Sequence, residues 1–201
     1  MSEVIATNQT ILVVGGGISG MTAALEAAEC GKQVILVEKN PSVGGRVSQL
    51  YKYFPKLCHP KCGLEINLRR IKANRNLRVM AMTEVSKIEG DAGNYSVTLN
   101  TRPRYVNENC TACGECGTAV EAEFDDEYNY GLGKRKGAYR PFNQSFPERY
   151  VLDPAVIGTD DAEKAKAACK YDAIDLDMTD SETTITVGAV IWATGWKPYD
   201  A

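Results

Sequence analysis

The sequence lacks any apolar run approaching the roughly 18 residues that a bilayer-spanning helix requires, so no segment of its 201 residues is expected to cross a membrane. It also lacks a strong excess of charge. Lys and Arg number 23 against 26 Asp and Glu, a net charge of -3, which offers no electrostatic footprint for nucleic acid or an anionic membrane surface. The opening residues, Met-Ser-Glu-Val-Ile-Ala-Thr-Asn-Gln, carry neither a basic leader nor an apolar core, and a cytoplasmic location is expected. Histidine occurs once, at His59. No Ser-His-Asp arrangement, paired acid-base carboxylates or P-loop lysine is present, which speaks against hydrolysis and phosphoryl transfer. Cysteine is what the chain does have. Its seven cysteines, an odd count in a reducing compartment, point to metal ligands or redox thiols rather than a disulfide framework.

From Ile11 to Gly20 the chain reads Ile-Leu-Val-Val-Gly-Gly-Gly-Ile-Ser-Gly. Four apolar residues, mostly β-branched, suit a strand buried on both faces, and Gly15, Gly17 and Gly20 give G-x-G-x-x-G directly after it. A helical pattern follows from Met21 to Glu29. In such a unit the first glycine permits the tight turn, the second lets a pyrophosphate approach the backbone, and the third lets helix and strand pack closely. The phosphates then meet a helix N-terminus, whose N–H groups and dipole favour negative charge. Cys30, just before Gly31, has an ordinary reading as a small apolar residue at a helix end.

Val34 to Val37 reads as a second buried strand, with Glu38 at the interval expected for an acid that takes adenosine ribose hydroxyls. An acid there favours an unphosphorylated ribose, as in FAD or NAD. The segment that follows, Lys39-Asn-Pro-Ser-Val-Gly44-Gly45-Arg46, resembles flavoproteins with two dinucleotide domains, in which paired glycines pass under the cofactor phosphates. That resemblance moves the expectation from NAD to FAD.

Phe54-Pro-Lys-Leu-Cys58-His59-Pro-Lys-Cys62-Gly-Leu-Glu-Ile comes next, followed by a helix predicted through Arg69, Arg70 and Lys72. Cys58 and Cys62 are too few for a metal site of their own. They are candidate redox thiols, with contribution to a cluster completed by another chain and plain buried thiols as the other readings. His59 is expected to be solvated or packed, and the basic run from Arg69 to Arg78 to be a solvated face.

Leu77 to Met82 suits a third strand, and Glu84 to Ile88 with Tyr95 to Leu99 a β-hairpin across Gly-Asp-Ala-Gly-Asn. The FAD domains that this chain resembles continue into a three-stranded β-meander. Its third strand is expected only at Thr183 to Val187, running into Val190-Ile-Trp-Ala193-Thr194-Gly195, which resembles the motif that returns from the meander to the parallel sheet beside the cofactor. The expected organisation is therefore a Rossmann-type α/β FAD-binding domain over residues 1–102, an insertion over 103–178, and a returning strand over 179–201.

The insertion carries Cys110-Thr-Ala-Cys113-Gly-Glu-Cys116, a C-x2-C-x2-C run. Bacterial ferredoxins use C-x2-C-x2-C-x3-C-P, with three cysteines on one 4Fe-4S cube and the fourth on another cluster. Here Val120 stands at the fourth position and Glu121 at that of the proline. Cys169-Lys-Tyr-Asp-Ala-Ile resembles the Cys-Pro-x-x-Ala-Ile end of a ferredoxin half, with Lys170 in place of proline. One 4Fe-4S cluster on Cys110, Cys113, Cys116 and Cys169 is expected, with a four-thiolate zinc site as the alternative. The polar, aromatic stretch between Cys116 and Cys169 shows no periodicity and reads as an irregular wrap or docking surface.

Taken together, Gly15-Gly17-Gly20, Gly44-Gly45, Pro55 through Cys62-Gly-Leu-Glu-Ile, the cysteine insert and Ala193-Thr194-Gly195 resemble the A subunit of the heterodisulfide reductase family. The closest likeness is to the A subunit of the quinone-interacting membrane-bound oxidoreductase complex of sulfate reducers. Nearly all of this chain is covered, but only the N-terminal part of the family's chain, so the family's flavin cover is expected to be missing. The resemblance implies an electron-transfer subunit with FAD and a 4Fe-4S cluster, an FAD-dependent oxidoreductase working with other iron-sulfur and flavin subunits. Membrane association would come only through those partners. Two alternatives remain: a flavin-linked thiol-disulfide oxidoreductase using Cys58 and Cys62, and a non-catalytic partner-binding scaffold.

Overall fold

The computed structural model describes residues 8–196 and Tyr199; most of the polar lead-in expected before Ile11 lies outside the described residues. In chain order the elements are β1 (Ile11–Val14), α1 (Ile18–Glu29), β2 (Val34–Glu38), α2 (Gly45–Ser48), α3 (Lys61–Ala73), β3 (Leu77–Ala81), β4 (Thr83–Asp91) and β5 (Asn94–Thr101). There follow α4 (Glu115–Ala119), β6 (Glu123–Asp125), β7 (Lys134–Lys136), β8 (Ala138–Tyr139), β9 (Val151–Leu152), α5 (Asp160–Ala168), β10 (Ser181–Val187) and β11 (Ala189–Trp192). They form two compact units, Met1–Thr101 with Ser181–Ala201, and Arg102–Asp180.

The first unit is built on a parallel sheet of order β11-β1-β2-β3. β1 and β2 lie inside it, so Leu12, Val13 and Leu36 are wholly buried, as continuous apolar runs in a parallel sheet require. The glycine turn falls at the carboxyl end of β1, where open α/β sheets bind their ligands. α1 starts three residues earlier than the apolar pattern predicts, and buries Gly20, Met21, Ala24, Leu25 and Ala28. α3 buries Leu64, Leu68 and Ile71, spaced for one helical face. Its Arg70 reaches α1, with Nη2 at 2.8 Å from Glu26 and 2.7 Å from Glu29. The basic run is thus only partly a solvated face: Arg69 is exposed, but Arg70 staples two helices together.

β10, β5 and β4 form an antiparallel meander. The strand expected after the insertion therefore completes it, pairing Ser181 with Thr101 through Val187 with Tyr95. Val97, Leu99 and Val187 meet Leu12, Val14 and Val37 in one core.

The second unit differs from the irregular wrap expected of it. β6 pairs with β7 and β8 with β9, while α4 packs on α5. Strands of two or three residues are too short for a period-two pattern to show, which is why periodicity is absent from the sequence. Val120, where a ferredoxin carries cysteine, is fully buried in this unit's core with Val106, Leu152, Val156 and Ile174. Arg135 lies against Tyr139 at 3.8 Å from the ring centroid and pairs with Asp153 at 2.7 Å, both side chains largely buried.

Candidate dinucleotide and cysteine sites

Three glycines close the turn after β1. Gly15 has φ +106°, a conformation L side chains rarely adopt, and a Cβ there would lie 2.4 Å from the Ala193 carbonyl oxygen. At Gly20 a Cβ would lie 1.8 Å from the Gly15 carbonyl oxygen, so helix and turn touch only because that carbon is absent. Gly45, at φ +55°, presses its loop onto the turn, since a Cβ there would come within 2.8 Å of the Gly17 Cα. The Gly44 N–H donates to the Gly16 carbonyl at 2.8 Å. Gly17 is different: a Cβ on it would meet nothing within 4 Å. Gly17 also caps α1, whose N-terminus carries no side-chain cap and no acid in its first turn. An uncapped helix N-terminus beside open space at Gly17 suits an anion such as a pyrophosphate.

Glu38, only 5% exposed, is aimed at this turn. Its Oε2 accepts the Gly16 N–H at 2.7 Å, and its Oε1 accepts the Asn40 N–H at 2.9 Å and the Asn40 side-chain amide at 2.8 Å. A carboxylate has lone pairs for about four such bonds, so three protein donors leave it room for one hydroxyl more. Neither Gly16 nor Asn40 was singled out in the sequence. Lys39 is exposed. The Arg46 Nε donates to the Trp196 carbonyl at 3.0 Å, with the guanidinium 5.0 Å from that indole. The Ala193 N–H donates to the Val14 carbonyl at 2.8 Å, and Thr194 and Gly195 continue into the exposed edge beyond.

Cys58 and Cys62 stand apart from that turn in sequence and carry their own small network. Tyr53 bridges to Cys58 through the backbone at 3.2 Å. The Cys58 thiol beside its phenol raises the tyrosine's pKa, with burial adding to the effect. Cys58 is half-buried and Cys62 exposed. α3 begins before Cys62, with Pro60 at its cap, so Cys62 lies within the first turn rather than ahead of the helix. His59 is exposed, its ring edge-on to Tyr51 at 5.0 Å.

The remaining candidates are in the second unit. Cys110 and Cys113 lie on an extended loop, Gly114 turns it at φ +95°, and Cys116 sits in α4. Cys169 caps the end of α5. Packing α4 on α5 makes all four cysteines line one recess, together with Val106, Tyr150, Tyr171, Ala173 and Ile174. Backbone donors point at the sulfurs: the Ala112 N–H lies 3.4 Å from the Cys110 Sγ, the Ala173 N–H lies 3.3 Å from the Cys169 Sγ, and Gly117 serves Cys116. Burial, with Cys110 next in effect, pushes the Cys116 thiol up to about 12. Among the described residues no three His, Cys, Asp or Glu side chains are gathered closely enough to hold a metal ion. The donor set itself, four cysteine sulfurs in a mostly apolar recess fed by amide N–H groups, suits a thiolate-bound cluster. Cys30 is exposed at the end of α1, remote in role from either group.

A sequence model of the FAD dependent oxidoreductases matches residues 10–112, which span the glycine turn, Glu38, the Gly44-Gly45 loop and the meander's first two strands. This chain belongs to that family. As an FAD dependent oxidoreductase it has homologues among the A subunits of heterodisulfide reductases. It is 37% identical over 199 residues to the A subunit of the ferredoxin:CoB-CoM heterodisulfide reductase of Methanosarcina acetivorans, covering 96% of this chain and 25% of that one. It is 38% identical over 204 residues to the iron-sulfur A subunit of the CoB-CoM heterodisulfide reductase of Methanocaldococcus jannaschii, covering 99% of this chain and 30% of that one. The chain thus spans less than a third of the length of these curated relatives. Among solved structures, thioredoxin reductase from Streptococcus pyogenes aligns at 26% identity and a TM-score of 0.36, over 45% of this chain and 31% of that one. The heterodisulfide reductase likeness expected from the sequence is found. The finer likeness to the sulfate reducers' complex is not among these matches. No helix among the described residues is long and apolar enough to cross a membrane.

Proposed function

We propose that this FAD dependent oxidoreductase chain is an electron-transfer subunit that holds FAD and one 4Fe-4S cluster within a larger redox complex. The observation that carries the reading is that Cys110, Cys113, Cys116 and Cys169 all line one recess, with N–H donors at the sulfurs of Cys110 and Cys169, in a chain whose glycine turn leaves Gly17 open. In this reading α1 and Gly15 to Gly20 receive the pyrophosphate. Gly44, Gly45 and Arg46 flank it, Lys39 and Glu38 attend the ribose side, and Ala193 to Gly195 border the flavin. When bound, the flavin takes electrons in pairs and the cluster passes them singly, so the two together convert one regime into the other. The partners would be iron-sulfur and flavin subunits of a heterodisulfide-reductase-like or quinone-interacting complex of sulfur metabolism. The location would be cytoplasmic, with any membrane contact made by those subunits.

Anaerobic purification with flavin and metal analysis tests this directly. FAD with about four irons per chain and an electron paramagnetic resonance signal on reduction is the expected result; zinc without flavin would falsify it.

The backbone bridge that holds Tyr53 against Cys58, four residues before Cys62, favours a second reading, in which Cys58 and Cys62 act as a flavin-linked dithiol. Replacing both by Ser should then abolish dithiol-linked reduction while leaving iron content intact. Unchanged turnover removes this reading.

A further inference from the structure

Besides the cysteine recess, the unit Arg102–Asp180 carries an open pocket of about 430 Å3. Cys113, Glu115, Thr118, Lys136, Arg140 and Asn143 are among the residues that line it. Tyr150 lines both this pocket and the cysteine recess. Its ring can stand there because glycines leave the space: a Cβ at Gly117 would lie 3.1 Å from the Tyr150 Cε1, and one at Gly114 would lie 3.4 Å from its hydroxyl. The phenol is thus a thin partition between thiols and pocket.

The pocket's chemistry is polar and weighted to positive charge, with two cations against the single carboxylate of Glu115. Lys136 shares its charge with Glu123 at 3.0 Å. Arg140 is held more loosely. Its guanidinium lies 5.7 Å from the Tyr150 ring, while the Glu148 carboxylate stands 4.0 Å away, at the limit of an ion pair. A guanidinium has five donors in a fork that matches carboxylate and phosphate oxygens. Such a fork sharing a pocket large enough for a metabolite with an amide and a second cation is a binding arrangement beyond the one proposed for flavin and cluster.

We propose that this pocket binds a small hydrophilic molecule through an oxyanion, a carboxylate or a phosphate, with Arg140 as the fork and Lys136 and Asn143 as supporting donors. The charged, amide and hydroxyl groups in its lining favour a hydrophilic ligand over a hydrophobic one. The site stands whether or not the cysteines carry iron. Its position against Cys113 and Tyr150 puts a bound molecule at the rim of the cysteine recess.

Calorimetric titration of the full chain tests this, with inorganic phosphate and citrate as separate titrants and FAD in excess, because the glycine turn itself attracts phosphate. At least one titrant should bind, and which one does so separates the two oxyanion sources. Arg140→Gln should weaken that binding about tenfold or more, as loss of a charge-assisted bond does. Lys136→Gln should weaken it less, and Glu115→Gln should tighten it. The Lys136 variant keeps the Arg140–Tyr150 contact but loses the cross-strand pair with Glu123, so a Glu123→Gln variant, which removes that pair and leaves Lys136, serves as the control for a disturbed fold. No heat from either titrant, or affinities unchanged in both the Arg140 and Lys136 variants, overturns the proposal. If the chain takes up no FAD, the same comparison still decides, since both substitutions lie outside the dinucleotide unit.

Discussion

Glu38 and Gly16, 22 residues apart, are joined by a buried hydrogen bond of 2.7 Å from the glycine N–H to the carboxylate Oε2. The acid at the end of β2 therefore fixes the glycine turn, besides the ribose role proposed for it. Glu38→Ala strands the Gly16 N–H, and an unsatisfied buried donor costs about 1–3 kcal/mol. A lower urea midpoint for the dinucleotide unit should accompany weaker FAD binding. A variant with full stability and impaired FAD binding alone would show that the acid serves only the cofactor.

Gly17 and Gly20 should separate binding from folding. A methyl at Gly20 meets the Gly15 carbonyl, whereas one at Gly17 meets nothing within 4 Å. Gly20→Ala is expected to lower thermal stability and abolish FAD uptake together. Gly17→Ala, at a φ of -71° open to any residue, should fold normally yet bind FAD poorly, because the methyl would enter the space proposed for the pyrophosphate. Equal melting temperatures for the two variants would contradict this division.

Cys169 and Cys30 both sit at helix C-caps, but only Cys169 lines the four-cysteine recess. Cys169→Ser should lose most of the iron and the reduced-state resonance signal, while Cys30→Ser should keep both. A Cys169→Ser protein with a full complement of iron means that the fourth ligand lies elsewhere.

The Asp161 carboxyl is held below its ordinary 3.8, first by the Ala122 N–H and also by Lys164. A depressed carboxyl favours the folded state above the unfolded-state pKa, and that contribution is lost as pH falls through the lower folded-state value. Unfolding of the Arg102–Asp180 unit should therefore become easier on acidification below about pH 4. Asp161→Asn should be the less stable protein at neutral pH, with a shallower acid limb. Parallel pH profiles for the two proteins would remove Asp161 from the acid response.

The glycine turn, the parallel strands and the displaced third meander strand were legible because their signals are local: a run of β-branched residues, a glycine spacing, an Ala-Thr-Gly ending. The cysteine run was legible for the same reason, though the gathering of Cys169 with it depends on α5 packing against α4, which spacing does not encode. Tyr53 and Gly16 escaped notice because their roles are single contacts with residues chosen for other reasons. Tyr150 and Arg140 lie in a stretch whose strands are too short for alternation to register, so only the folded chain reveals that they share a pocket. The fully buried Val120 shows the opposite case. Its position in the ferredoxin pattern suggested an absent ligand, and its burial shows what the position does instead.

The order β11-β1-β2-β3 has a consequence for biosynthesis. β1 pairs on one side with β2, which follows almost at once, but on the other with β11, Ile11 opposite Ala189. The intervening unit Arg102–Asp180 must be synthesised before that partner exists, a wait of about 4–16 s at ribosomal speeds of about 5–20 residues per second. Through that interval the nascent sheet carries an unpaired edge along β1, and β5 carries another where β10 will lie. Such edges invite pairing with other chains. This protein is therefore expected to lean on chaperones that shield nascent strands, and slower translation across the insertion should lower its soluble yield.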